Sequence, residues 1–332
     1  MIALTLLGHA TLVWIQRAVT VIFGLLTLVI GFFLIRSTNW STLLAQPPGP
    51  WDTGVLASLS IIAAATGFGW VNAGADYTRY LPRDTKARAI IGWTTSGATA
   101  SFFITTMIGV LLSSHVKNLA GASNPVAVLG AALPSWMAIP YLVTAIASLL
   151  ASNVINLYSS GLSLLSLGVK MQRYKTIFID AGLVLVGAGY VLLVANNFLG
   201  PLESFLQLLA DGLMTWAAVF LVDQLWRRDY DPAGLTDTSP TSRYYYRGGV
   251  NIAAVAAWLI GLVVSLLFTV SPLFVGPFAI GLFASSSLGY FLGFAVSAVV
   301  YIIALRFLPA IGTSLEQSLL SSQTERIPSA DS

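Results

Sequence analysis

Apolar and polar positions along this chain come in long blocks, not at the periods of half-buried strands or surface helices. Eight blocks lie near 12–35, 54–76, 89–113, 138–168, 177–196, 202–225, 250–271 and 278–305. Each is apolar over the roughly 20 residues that an α-helix needs to cross a bilayer. The fourth is longer than the lipid requires, which predicts tilt or an extension beyond the membrane. None alternates as a transmembrane barrel strand does. The pattern predicts an all-α polytopic membrane protein with a transmembrane domain over 1–308. The polar tail, 309–332, has the composition of a disordered cytoplasmic segment.

Composition agrees with a lipid solvent. Hydrophobic residues make up 56% of the 332 and charged residues 9%, with mean hydropathy +0.82, whereas soluble domains carry roughly 25% charge. The absence of cysteine rules out a disulfide framework, a thiolate nucleophile and a zinc–thiolate site. Two histidines, His9 and His115, are too few and too far apart for a metal centre. The loops leave no room for a soluble catalytic or nucleic-acid-binding domain. The first apolar run is long and lacks a small-residue cleavage site, so it does not read as a signal peptide.

Charge placement predicts orientation. With the start of the chain on the cytoplasmic side, 14 of the 16 Lys and Arg fall on inner loops, and only Arg36 and Lys117 fall outside. Such a bias is what the positive-inside rule describes, and it predicts a multi-pass protein of the plasma (inner) membrane with both ends inside. Trp40, Trp51, Trp136, Trp226, Tyr230 and Tyr244 to Tyr246 fall near span ends, as an interfacial aromatic belt would.

The most informative stretch runs from Thr66 to Arg88. It places Gly67, Gly69 and Gly74 around Phe68, Trp70 and Asn72, then Asp76, Arg79 and further bases. Glycines weaken a helix interior, and a weak point inside a span frees backbone groups that neighbours or a solute must satisfy. A helix break at Gly67 and Gly69 is how a transporter's discontinuous helix looks in sequence.

Two long motifs carry a family resemblance. G-F-G-W-V-N-A-G-A-D-Y-T-R-Y-L-P-R at 67–83 resembles the sixth helix of the nucleobase–cation symporters of the purine–cytosine permease type. A-S-N-V-I-N-L-Y-S-S-G-L-S-L-L-S-L-G at 151–168 resembles their eighth. The likeness continues through 244–258 and 275–290. It implies about twelve helices, the first ten forming two inverted five-helix repeats as in leucine-transporter-like folds. On that register this chain begins just before the fifth helix. It lacks the first and third, which in the family supply part of the cation site and an aromatic platform.

Several residues are candidates for chemistry, each with two readings. A nucleobase site needs an aromatic face and a side-chain amide to read an edge. Phe68 and Trp70 offer the face, or pack against neighbouring helices. Asn153 and Asn156 share a helix face at membrane depth, as base readers or as interhelical glue. Ser148 and Ser152, one turn apart, match by resemblance the hydroxyls of a sodium site; serines also bond back to their own helix. Asp76 and Arg79 form an anchoring ion pair, or part of an inner gate by resemblance. Asp211, with Glu203 and Gln207 on its face, lies ~15 Å deep at 1.5 Å per residue, where an ionisable group is a candidate for proton coupling.

These readings predict a permease importing a nucleobase such as cytosine or a purine with a cation, Na+ or H+, by alternating access. Nothing implies an enzyme, a catalytic residue, a bound metal or an organic cofactor. The alternatives are a truncated remnant that does not transport, or a same-fold carrier of allantoin, hydantoin, thiamine or an amino acid.

Overall fold

The computed structural model describes residues 9–74, 78, 81–82, 84–116, 125–166, 172–195, 197–227, 230–237, 239–242, 244–246 and 248–307. In chain order the α-helices are α1 (His9–Ser37), α2 (Trp40–Leu44), α3 (Ala57–Thr66), α4 (Ala87–Ser113), α5 (Pro125–Ala132) and α6 (Ser135–Ser166). Next come α7 (Arg173–Leu193), α8 (Leu199–Arg227), α9 (Pro232–Thr236), α10 (Ile252–Phe268), α11 (Leu282–Ser286) and α12 (Gly289–Phe307). A π-helical turn, Trp51–Leu56, leads into α3 and a 3-10 stretch, Phe68–Ala73, follows it. Strands β1 (Val270–Ser271) and β2 (Phe274–Val275) pair antiparallel between α10 and α11.

Among the described residues seven helical segments are long and apolar enough to cross a membrane, and α10 adds an apolar helix of 17 residues, at the short end of a span. This is the polytopic all-α architecture that the apolar blocks predict. Large apolar side chains stay exposed along these helices, Trp93 at 82% and Leu193 at 86%. That is the surface expected where lipid is the solvent.

The chain forms two compact units, Met1–Pro48 with Ala73–Pro201, and Gly49–Asn72 with Leu202–Ser332. In the first, Ile30 and Leu34 of α1 bury against Leu111 and Leu112 of α4 and against Met137 and Tyr141 of α6. At one end of this core the His115 Nε2 lies 3.3 Å from Ser37 Oγ and 3.4 Å from Thr38 Oγ1.

The second unit is organised by the close approach of α10 and α12. Ala253, Ala257, Gly261 and Ser265 repeat every four residues along α10, and Gly289, Gly293, Ser297 and Tyr301 do the same along α12; all are buried. A Cβ added at Gly293 would lie 2.6 Å from Ser265 Cβ and 2.8 Å from the Gly261 carbonyl. One added at Gly261 would overlap Ser297 Oγ. Small residues let membrane helices approach until their backbones touch, which is where packing in lipid gains its energy. Ser297 Oγ adds a hydrogen bond to the Ala257 carbonyl at 3.2 Å. Asn251 caps α10, its Oδ1 accepting from Ala254 N at 3.1 Å while its Nδ2 donates to Tyr301 Oη at 3.2 Å.

The last helix starts at Gly289, not near 278 as the hydropathy suggests. Residues 276–278 fold back over the end of α10 instead: Gly276 N donates to the Thr269 carbonyl at 2.8 Å and Phe278 N to the Leu267 carbonyl at 2.9 Å. The reason is local. Pro277 has no N–H to extend a helix through, and a side chain at Gly276 would run into the Leu267 carbonyl group. Gly281 at φ +56° and Ser287 at φ +53° then turn the chain into α11 and α12.

Gly293→Ala is therefore expected to destabilise the second unit by ~1–3 kcal/mol through overpacking, lowering the thermal midpoint in detergent. Gly97→Ala, where nothing lies within 4 Å of the added Cβ, should leave it unchanged or slightly raised.

Candidate functional site

The glycine-rich stretch changes the winding of its helix. Helix α3 ends at Thr66 with Gly67 as its cap, Gly67 N donating to the Ala63 carbonyl at 3.1 Å, and the chain continues as a 3-10 turn. The Thr66 hydroxyl turns back onto the Ile62 carbonyl. The winding changes from α to 3-10 at Gly67, while the missing Cβ of Gly69 would sit at an ordinary 3.6 Å from Leu209. The break is a tightening of the helix; it does not open into an extended segment.

The two aromatics beside the break have different surroundings. Phe68 is half-buried and makes edge contacts to Tyr290 at 5.3 Å and Phe291 at 5.8 Å between ring centroids, beside the buried cluster of Ala64, Ala210, Met214 and Tyr290. In this unit it packs. Trp70 is 43% exposed. Two residues on, Asn72 lines an open cleft of 360 Å³ with Leu208, Leu209, Gly212, Leu213, Trp216 and Trp258. That volume lies within the usual range of small-ligand pockets. Trp258 Nε1 donates to the Gly212 carbonyl at 3.1 Å, and Trp216 stacks on Phe220 at 5.3 Å. Asn72, Trp216 and Trp258 thus join an amide to aromatic rings in one cleft. The sequence reading did not single them out, although Asn72 lies within the same motif.

Ser148, Ser152, Asn153 and Asn156 all lie on α6, in the other unit. Ala151, Val154 and Leu157 form the buried stripe of this part of the helix. Ser148, Ser152 and Asn153 are partly buried on its flank and Asn156 is exposed. Asp76 and Arg79 lie outside the described residues.

Asp211 is fully buried near the middle of α8. Its Oδ1 accepts hydrogen bonds from Ser265 Oγ at 2.6 Å and Thr269 Oγ1 at 2.7 Å. Both hydroxyls come from α10 or its end, held in place by the glycine packing against α12. The Asp211 Oδ2 and both polar atoms of Gln207, one turn earlier, are buried and have no hydrogen-bond partner among the described residues. Next to this cluster Tyr290 Oη donates to the Ser60 carbonyl at 2.9 Å, tying α12 to the helix that ends at Gly67.

A second polar knot closes the far end of α8. Asp223 Oδ1 accepts from Tyr301 Oη and its Oδ2 from Tyr230 Oη, both at 2.6 Å. Arg227 Nε donates to both carboxylate oxygens at 2.9 Å, and its guanidinium lies 5.6 Å from the Tyr246 ring centre. Burial, then the hydrogen bond to Asp223 and its charge, hold the Tyr230 phenol well above its ordinary range, so it stays a donor at neutral pH. In this way the loop after α8 is strapped to α8 and α12. Neither polar knot resembles a metal centre: among the described residues no group of three acidic or histidine side chains could hold one.

Three comparisons bear on what this arrangement does. The sequence profile of a family described as permeases for cytosine/purines, uracil, thiamine and allantoin matches residues 1–293. The chain is 24% identical over 314 residues to the "Putative purine-cytosine permease YxlA" of Bacillus subtilis (strain 168), an alignment covering 91% of this chain and 65% of that protein. The chain thus spans a little under two thirds of that relative's length. No solved structure matches.

Tyr230→Phe removes a hydrogen bond to a charged acceptor, a class that contributes ~1.5–3 kcal/mol. It is expected to speed limited proteolysis within the 228–250 loop while leaving cleavage elsewhere unchanged. The strap should hold below the ordinary tyrosine range and loosen only as pH rises through the elevated value of Tyr230.

Proposed function

The chain belongs to the family of permeases for cytosine/purines, uracil, thiamine and allantoin, and from that premise we propose that it carries a flat, uncharged heterocycle across the membrane together with a cation, by alternating access. Cytosine and the purines are the first candidates, since the curated relative is named for them. In this reading the basic loops face the cytoplasm and the chain contributes its membrane domain to the carrier. Solutes of this family are moved, not transformed, so no covalent step is assigned to any residue.

The observation that carries the reading is Trp70. Trp70 follows a glycine-capped break within a span and is 43% exposed, whereas Phe68 two residues earlier packs into the core of its unit. An indole beside a helix break offers the flat face that stacking on a base needs. On α6, Asn153 and Asn156 supply carboxamides of the kind that read a base edge, and Ser148 and Ser152 supply hydroxyls that suit sodium. Asp76 and Arg79 remain proposed as the anchor or gate at the inner end of the broken helix. Asn72 with Trp216 and Trp258 offers a further aromatic–amide surface, on the path toward α8.

Uptake of radiolabelled cytosine, adenine, uracil, thiamine and allantoin into vesicles bearing the chain tests this. Stacking contributes ~1–3 kcal/mol per base, so Trp70→Ala is expected to raise the apparent KM by about 5- to 150-fold. Asn153→Ala should raise it too, while Ser285→Ala, whose hydroxyl bonds back to the Leu282 carbonyl within the short helix α11, should leave it unchanged. Phe68→Ala should instead lower thermal stability, by up to the ~3–5 kcal/mol of a buried phenylalanine. Equal losses from Trp70→Ala and Ser285→Ala would contradict the stacking role. No saturable uptake of any of the five would contradict the carrier.

A further inference from the structure

We propose that Asp211, Thr269 and Ser265 form a proton-binding site inside the membrane, and that its proton is the cation that drives the carrier. The second half of this proposal rests on the permease reading above; the first does not.

The site is built, not merely acidic. Asp211 is fully buried near the middle of a 29-residue apolar helix, where an unpaired charge is costly. The ion pair among the described residues is Arg227–Asp223, four turns further along the same helix, so no described base neutralises Asp211. Sodium is the other candidate occupant, but it takes several oxygens at once. The oxygens here without a partner among the described residues are Asp211 Oδ2 and Gln207 Oε1. A proton needs only one of these, whereas sodium would also have to draw on the Ser265 and Thr269 hydroxyls that donate to Oδ1.

The hydroxyl geometry accommodates both states of the carboxyl group. A hydroxyl has one proton to donate and can accept as well. Thr269 Oγ1 has two acceptors in reach, Asp211 Oδ1 at 2.7 Å and the Ser265 carbonyl at 3.0 Å. With Asp211 ionised, Thr269 and Ser265 both donate to Oδ1. When water on one side of the membrane supplies a proton, an O–H bond forms on Oδ2, the oxygen that has no donor among the described residues. The charge on Oδ1 falls, and the Thr269 hydroxyl can then turn its proton to the Ser265 carbonyl while Ser265 goes on donating to Oδ1. Release reverses these changes and returns the proton to water.

The groups facing Asp211 are few. From α12 it is met by Tyr290, which is buried with Ala210 and Met214 on either side of Asp211 in sequence and whose hydroxyl is committed to Ser60. Helix α10 and its end present only the Ser265 and Thr269 hydroxyls. From α3 the neighbour of Tyr290 is Ser60, again a hydroxyl. On α8 itself Gln207 is uncharged and Glu203, two turns away, is partly exposed. Tyr290 links the proton site to the broken helix: it touches Ser60 within α3 and Phe68 just past Gly67. Loading the site can therefore alter the segment that carries Trp70 within one unit.

The test is infrared difference spectroscopy of the purified full chain in lipid nanodiscs, titrated over pH, with and without carbonyl-labelled aspartate. The expected result is a carboxylic-acid carbonyl band that shifts with the label, disappears as pH rises and is missing in Asp211→Asn. Thr269→Val removes a donor to the ionised form and should raise the band's titration midpoint by about one pH unit, tenfold in proton affinity; Thr269→Ser should restore it. A band identical in Asp211→Asn and the unsubstituted chain, or the lack of any label-sensitive carboxylic-acid band in the latter, would overturn the site. For coupling, saturating cytosine or adenine, with binding verified by equilibrium dialysis, should move the midpoint. A bound base that leaves it unmoved would overturn the driving role. If neither base binds, the permease reading fails, while the band still decides the proton site.

Discussion

Everything distinctive in the second unit depends on two helices touching backbone to backbone. With Gly261 on one side and Gly293 on the other, α10 and α12 leave no room for a methyl group between them. In lipid there is no hydrophobic drive to bring helices together, so such fits must supply the association. The consequence is chemical as well as structural. Packed this way, α10 holds Ser265 and Thr269 against Asp211 of α8, and α12 presents Tyr290 to Ser60 of α3. A carboxyl group in the middle of a span is tolerated because the packing surrounds one of its oxygens with donors. Its other oxygen and the amide of Gln207 remain uncommitted.

The same packing divides labour at the broken helix. Phe68 locks the 3-10 turn to Tyr290 and Phe291, which fixes the direction in which the chain leaves Gly67. Trp70, two residues on, is 43% exposed. In the proposed carrier the first aromatic would define the break and the second would meet the solute. At the opposite end of α8, Asp223 gathers Arg227, Tyr230 and Tyr301, holding the following loop.

The span pattern was legible in the sequence because lipid selects composition over whole helices. The eight apolar blocks correspond to seven membrane-length helical segments and the shorter α10. The change of winding at Gly67 has a local cause, since the effect of glycine on helix propensity needs no tertiary context. The start of the last helix was not legible, because hydropathy reads the hairpin and turn of 270–288 as more span, although Pro272, Gly276, Pro277 and Gly281 punctuate it. The depth of Asp211 could be counted, but not its partners, which arrive from more than fifty positions away. Phe68 and Trp70 look alike as a pair of aromatics at a glycine break. What separates them is the rings at 290 and 291, a relation no spacing rule contains. Asn72, Trp216 and Trp258 were overlooked for the same reason, since their cleft exists only once 72, 216 and 258 are neighbours.

The central claim is that the indole at the helix break meets the transported ring. Photo-crosslinking with an azidopurine, followed by mass spectrometry of the chain's peptides, tests it most directly. Label on the peptide carrying Trp70 or on that carrying Asn153, suppressed by excess adenine, is the predicted result. Label confined to other peptides, or insensitive to adenine, would contradict it.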